Sequence, residues 1–273
     1  MNPPIITLTS DFGPDLFVGQ MKGVILGVCP RARLVDLSHG VASQDVWGGA
    51  LVLEQILGVF PAGTVHLAVV DPGVGSQRRG LAIAALGQYW VGPDNGLFTP
   101  PLRADPGAKA YHLTNARYFR PTVSATFHGR DVFAPVAAHL ARGVSPASLG
   151  PEVADPVRLE WPLPRRDNDA LRGQVLFADR FGNLITNLER GLVEEFLDGR
   201  PARVELGGLV VEGLSSCYAA AAPGQPLALF NSLERLELAI NNGDLSGKLG
   251  LSPLGARGAP VLVRAGEQTR QAR

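Results

Sequence analysis

Three apolar runs in this 273-residue chain each end in an aspartate followed by a turn: IITLTSDFG at Asp11, HLAVVDPGVG at Asp71 and YWVGPDNG at Asp94. Each run reads as a buried strand. In an open parallel sheet, ligands gather outside the carboxyl ends of the strands. Carboxylates at that edge can act as general bases or metal ligands. One strand-end aspartate is as readily a turn-former, because its carboxylate bonds its own backbone. Three at one edge are more than turns need. Asp71 stands apart, since VVDPGVGSQRRG (69–80) follows it with Pro72, Gly73 and Gly75 and then Arg78 and Arg79. The loop is not a phosphate cradle: a P-loop needs GxxxxGK[ST], and no lysine is present. It is not a dinucleotide fingerprint either, since GVGSQR leads to another strand rather than a helix. DFG at 11–13 lacks the VAIK and HRD partners of a kinase.

A second stretch, SATFHGRDVFAP (124–135), places Phe127, His128, Gly129, Arg130 and Asp131 at a helix start. Free backbone N–H groups there suit an anion or a polarised oxygen. A lone histidine is more often structural, but flanking Gly, Arg and Asp shift that balance. His39, His128 and several aspartates offer metal ligands, yet no HxH or HExxH spacing supports a metal site. A third stretch, FADRFGNLITN (177–187), sets Asp179, Gly182, Asn183 and Asn187 on a strand–turn–strand.

The elements that would position these residues fall into two textures. Strands at 5–9, 34–37, 66–71, 81–86 and 89–94 alternate with helical patterns at 16–28, 45–60 and 131–143. This predicts a mostly parallel sheet covered on both faces. The first helix is expected to bury Phe17, Met21, Val24 and Val28. Asp45 suits the second helix's N-terminus, and Gly143 closes the third. Near WPLPRRDNDALRG (161–173) prolines and charges replace the periodicity. The expected domains are therefore an α/β domain over 1–163 and a small β-barrel domain over 164–273, whose short strands are separated by Gly and Pro and interrupted by one helix at 188–197. The polar end GEQTRQAR is expected to fray.

The totals narrow the function classes. Twenty-five basic residues balance 25 acidic ones, so nothing argues for a nucleic-acid or anionic-membrane partner. Cys29 and Cys217 are too few for a disulfide framework or a thiolate zinc site. The N-terminus has no basic n-region, and no run approaches the ~18–20 apolar residues of a membrane span. A cytoplasmic location is expected.

Taken in order, TSDFG, VVDPGVGSQRR, GPDNGL, TFHGRDVFAP, DRFGNLITN and LFNS…LELAIN resemble the S-adenosyl-L-methionine (SAM) hydroxide adenosyltransferases, hydrolytic relatives of the fluorinase and chlorinase. The resemblance runs from residue 5 to about 265. It implies an α/β N-terminal domain, a β-barrel C-terminal domain and a homotrimer whose sites lie between one subunit's N-domain and its neighbour's C-domain. The implied reaction is SAM plus water giving adenosine and L-methionine, with no cofactor and no metal. The family's catalytic Asp, Arg and His fall on Asp71, Arg78 and His128. Asp11 matches the carboxylate that binds the ribose diol. Phe181 and Asn183 match residues around the adenosine, and Asp179 and Ser232 match contacts to the methionine end.

This sequence departs from the family pattern in two places. SDFGPDLFVG is about one residue shorter than usual, which affects Asp15, and Leu233 and Arg235 stand where many relatives have a glycine and an aromatic residue. Halogenating members carry an insertion and replace the Asp–Arg–His set; here Arg79 runs directly into LAIAAL. Which of Asp71 and His128 takes the proton stays open at this level. So do three alternatives: a halide-dependent adenosyltransferase, a metal-dependent phosphohydrolase using His39 and His128, and a non-catalytic adenosine- or SAM-binding module.

Overall fold

The first strand, β1 (Ile5–Ser10), is buried over its last five residues because it lies inside a sheet covered on both faces. The computed structural model describes residues 2–252 and 254–266; the tail expected to fray lies, from 267 on, outside them. Two compact units divide the chain, Met1–Glu160 and Trp161–Arg273.

In the first unit β1 is followed by α1 (Leu16–Val28), β2 (Arg33–Ser38), α2 (Val46–Glu54), β3 (Val65–Val69), β4 (Gly80–Ala85), β5 (Gln88–Pro93), α3 (Thr99–Ala104), β6 (Lys109–His112), α4 (Ala134–Ala141) and β7 (Glu152–Val153). The sheet order is β2-β1-β3-β5-β4-β6-β7. Strands β2, β1, β3 and β5 run parallel. β4, β6 and β7 pair antiparallel, because a tight hairpin joins β4 to β5 through Leu86 and Gly87, both left-handed. The sheet is thus mixed, parallel over the half that carries the strand-end aspartates.

Helices cover both faces. α1 and α4 pack on the side of Ile6, Leu8, Val65 and Leu67, while α2 and α3 pack on the side of Ala68, Val70 and Leu81. The chain leaves β1 for β2 over the first face and returns from β2 to β3 over the second. β1 and β3 therefore flank the point where the winding reverses, the crevice where doubly wound sheets bind ligands.

Two helix expectations change. The buried stripe of α1 is Val18, Met21 and Ile25, while Phe17 is 41% exposed. The stripe is rotated because Phe17, in the first turn, belongs to a loop cluster rather than the core. The second helix stops at Glu54 instead of reaching Phe60, since tighter turns take over and Gly58 has a φ of 75°. Its start is as expected: Asp45 accepts from the Gly48 amide at 3.0 Å, a side-chain cap.

The second unit is antiparallel throughout. β8 (Arg165–Arg166), β9 (Leu171–Ala178), β10 (Leu184–Glu189), α5 (Arg190–Leu197), β11 (Ala202–Leu206), β12 (Leu209–Glu212), β13 (Pro226–Phe230), β14 (Arg235–Ile240), α6 (Leu245–Lys248) and β15 (Pro260–Ala265) follow in order. The path β12-β11-β15-β9-β10-β14-β13 curls into a nearly closed barrel, with β8 paired to β9. Leu171, Val175, Leu184, Val204, Leu238 and Val263 fill its interior. Among the described residues, no helix is long and apolar enough to cross a membrane.

A polar ladder crosses the first core. Thr7 Oγ1 meets His66 Nδ1 at 2.8 Å, His66 Nε2 meets Gln88 Oε1 at 3.2 Å, and Gln88 Nε2 donates to the Phe60 carbonyl at 2.6 Å. His66 is fully buried and stacks on Trp90 at 4.1 Å. Burial lowers its pKa to about 4, despite the bond to Gln88. The unfolded chain therefore takes up a proton near pH 6.5 that the folded chain resists until about 4. Stability is complete above 6.5 and falls by roughly 3 kcal/mol as pH drops toward 4. Urea unfolding across that range checks this. His128 and His139 are lowered in the same direction, so the wild-type profile minus that of His66→Gln isolates the His66 share; parallel profiles would refute it.

Candidate active site

Three segments converge at the carboxyl edge of β1 and β3: the turn after β1, the turn after β3 and the stretch entering α4. They line a cavity of about 400 Å³ that includes Asp11, Asp71, Phe127 and His128, in the size range of small-molecule sites.

Asp71 is held by a forked ion pair. Arg78 Nε donates to Oδ1 at 2.8 Å and Nη2 to Oδ2 at 2.5 Å. The Asp71 side chain is 5% exposed and that of Arg78 11%. The turn between them is tied by Val74 N–H to the Asp71 carbonyl and by Arg78 N–H to Ser76 Oγ. The guanidinium lies over the Phe133 ring at 5.1 Å, and its Nη2 also reaches His128 Nδ1 at 2.8 Å. A guanidinium can only donate, so Nδ1 must accept. That fixes His128 as the neutral tautomer with its proton on Nε2. Its pKa is lowered, first by burial and then by the Arg78 charge, against the opposite pull of Asp71 and Asp131.

His128 sits immediately before a single π-helical turn, Gly129–Phe133, that runs into α4. Such turns recur at functional sites. Asp131, singled out with His128 in the sequence, has a scaffolding task. It is fully buried and accepts from Arg120 Nη1, Arg130 Nε and Nη2, and the Ser124 amide at 2.7–3.0 Å. Burial pushes its carboxyl up, but those bonds outweigh it and bring the pKa to about 2. Asp131 thus pins the segment that carries His128.

The other strand-end acids divide. Asp11 lines the cavity, with Oδ2 accepting from the Gln44 amide at 2.8 Å. Its Oδ1 has no hydrogen bond among the described residues. Asp94 is structural: buried, it takes Arg79 Nε at 2.7 Å and the Val157 amide at 2.8 Å. The two adjacent arginines therefore diverge, Arg78 to Asp71 and Arg79 to Asp94 and Asp155. His39 bonds Ser10 and Asp36. Among the described residues, no group of three or more His, Cys, Asp or Glu is arranged to hold a metal ion.

In the second unit Asp179, Phe181 and Asn183 occupy the β9–β10 hairpin. Asp179 Oδ1 accepts from the Phe181 and Asn183 amides, and Oδ2 from Asn183 Nδ2 at 3.0 Å. Phe181 is 68% exposed. Ser232 lies on the exposed β13–β14 turn, beside Asn231, whose Oδ1 accepts from the Leu233 amide. Glu237 on β14 is buried and receives Tyr218 Oη–H at 2.6 Å. Burial raises its pKa and the nearby Asp179 charge adds to that, against the bonds from Tyr218 and Asn231.

The family model of the SAM hydroxide adenosyltransferase N-terminal domain matches residues 6–150, and that of the C-terminal domain matches residues 173–256. The chain belongs to this family. It is 44% identical to an (R)-S-adenosyl-L-methionine hydrolase from Thermus thermophilus over 92% of this chain and 96% of that one. It is 42% identical to one from Salinispora tropica, over 92% and 95%. A fluorinase from Actinoplanes sp. is more distant, at 30% over 89% and 93%. A crystal structure of an uncharacterized conserved protein from Thermotoga maritima superposes with a TM-score of 0.87 at 32% identity, covering 95% of this chain and 99% of that one. These relatives agree with the family expected from the motifs.

Some residues at the cavity, Phe12, Phe17 and Gln44, escaped the sequence reading, while Phe127 was singled out beside His128. Phe12, Phe17 and Phe127 form a triangle of rings 5.3–5.8 Å apart at the cavity; helical spacing assigned Phe17 to the core. Gln44 carried no signal. In the second unit, taken by itself, buried Glu237 did carry a signal, a lone acid inside the apolar run LELAIN.

Gly75 sets the approach of the turn after β3 to the segment that enters α4. Its φ is 77°, and a Cβ there would lie 2.3 Å from the Ala125 carbonyl oxygen. Gly58 has a φ of 75° but open space around it. Gly58→Ala should therefore cost only the backbone term, about 1–2 kcal/mol, in denaturant unfolding. Gly75→Ala should cost more, by the displacement of segment 124–128; equal losses would contradict the close approach.

Proposed function

We propose that this protein hydrolyses SAM to adenosine and L-methionine by in-line attack of water on ribose C5′. The observation that carries this reading is the Arg78 guanidinium bound at once to Asp71 and to Nδ1 of His128, two residues that line the cavity. The family of the chain, and the hydrolases it resembles at 42–44% identity, support it.

The chemistry follows from donor and acceptor capacity. With Nδ1 occupied and Nε2 protonated, His128 has no free lone pair and serves as a donor that orients the water oxygen. Each Asp71 oxygen keeps a lone pair beyond its bond to Arg78, so Asp71 is the base. The water gives its proton to Asp71 as its oxygen bonds C5′. The C5′–S bond breaks, and its electron pair neutralises the sulfonium to the methionine thioether. The proton then passes from Asp71 to solvent. The sulfonium leaves without protonation, so orientation worth up to ~7–11 kcal/mol and a base worth ~10²–10⁴ in rate are the main contributions. Asp11, with Oδ1 open, takes the ribose diol. Asp179, Phe181, Asn183 and Ser232 of a neighbouring copy contact the adenosine and the methionine end in a cytoplasmic homotrimer. Asp179 and Glu237 have no lysine or arginine ion-pair partner among the described residues, which suits a cationic amino acid. No cofactor or metal takes part in this scheme.

Incubation with SAM in ¹⁸O-water, with and without EDTA, tests the reading. Adenosine labelled at the 5′ oxygen and insensitive to EDTA is expected. Unchanged SAM, or turnover only with halide, would overturn it. Asp71→Asn should lower kcat by ~10²–10⁴ while adenosine affinity persists; near-normal turnover removes Asp71 as base. Protonated His128 would set N–H against N–H at Arg78, so kcat/KM should fall on the acid side with a midpoint below the ordinary histidine value of 6.5. A midpoint above 6.5 would contradict the tautomer.

A further inference from the structure

Beside the cavity, four side chains form a chain of contacts that the proposed chemistry does not use. Lys22 Nζ donates to Asp36 Oδ2 at 2.6 Å, Asp36 Oδ1 accepts from His39 Nε2 at 2.9 Å, and His39 Nδ1 meets Ser10 Oγ at 2.8 Å. Ser, His and Asp in this order suggest a hydrolytic triad, but Ser10 is fully buried and no substrate can reach its oxygen. The set does something else. Because Nε2 donates to Asp36, Nδ1 of the neutral ring must accept the Ser10 hydroxyl proton.

Ser10 is the residue before Asp11, and three backbone amides tie the start of the turn to Ser10, to His39 and to the loop that follows His39. The Gly13 amide donates to the His39 carbonyl at 2.8 Å, and the Phe12 amide approaches Ser10 Oγ at 3.4 Å. The Gln44 amide donates to Asp11 Oδ2 at 2.8 Å, from a backbone with φ 63°. A non-glycine residue keeps a left-handed φ only where its surroundings over-determine it, and such residues cluster at ligand clamps. One Asp11 oxygen is thereby fixed and the other left for a ligand.

We propose that His39 is a positioning residue, held between Asp36 and Ser10, that fixes the Asp11 carboxylate for recognition of a vicinal cis-diol; this rests on the nucleoside reading above. His39 acts through the turn and touches no reacting atom.

Calorimetric titration of adenosine and 2′,3′-dideoxyadenosine into wild type, His39→Ala, His39→Asn and His39→Gln tests it, with thermal unfolding as a check on folding. Asn can place an oxygen where Nδ1 was and keep the Ser10 bond. Gln can place a nitrogen where Nε2 was and keep only the Asp36 bond. His39→Ala should lose about tenfold in adenosine affinity, the size of one hydrogen bond, with dideoxyadenosine affinity unchanged. His39→Asn should recover most of the loss and His39→Gln should not. Should His39→Ala not fold, the Asn–Gln contrast decides alone. Equal losses for both nucleosides, no loss, or a wild type that does not distinguish the two nucleosides would overturn the proposal. A wild type that prefers adenosine but leaves SAM intact would remove the hydrolysis reading and leave this one standing.

Discussion

One guanidinium governs the charge states of the candidate site. Arg78 only donates, and it spends its bonds on both oxygens of Asp71 and on Nδ1 of His128. With the carboxylate 5% exposed, a buried charge of this kind persists only when it is paired and hydrogen-bonded. The same contact forbids a proton on His128 Nδ1, so the neutral ring can only donate to other partners, through Nε2. The pair carries no net charge.

The rest of the first unit serves to bring these three side chains together. Reversal of the winding between β1 and β3 opens the crevice that Asp11 and Asp71 border. Gly75 permits the turn after β3 to touch the backbone at Ala125, and Asp131 locks the same segment through Arg120 and Arg130. Arg79 and Asp94 close the adjacent strand end as a purely structural pair. Left-handed Gln44 and the π-turn before α4 are local departures from regular backbone. Both border the cavity, where strain of this sort is characteristically retained.

The second unit contributes a different surface. Its hairpin is fixed by Asp179 folding back onto two amides, and Gly182 is required because a Cβ would meet Asp244 at 1.9 Å. Phe181 at 68% exposure and Tyr218 at 43% leave apolar rings available beside the carboxylates, a combination suited to a ligand that is part aromatic and part charged.

Much of this was present in the order of residues alone. Apolar runs ending in Asp11 and Asp71 defined strands and the edge they reach, since alternation of strands with helices admits few topologies. The motifs around Asp71, Arg78, His128, Asp179 and Asn183 sufficed to identify the family. Sequence could not choose between Asp94 as ligand and Asp94 as clamp, because the outcome depends on whether Arg79 or a cavity faces it. Nor could it assign Asp131 to scaffolding, place Phe17 outside the core, or end α2 at Glu54. The tautomer of His128 and the His39–Ser10 tie join residues 50 and 29 positions apart. Such contacts follow from how the strands and loops pack, and local propensity carries no record of them.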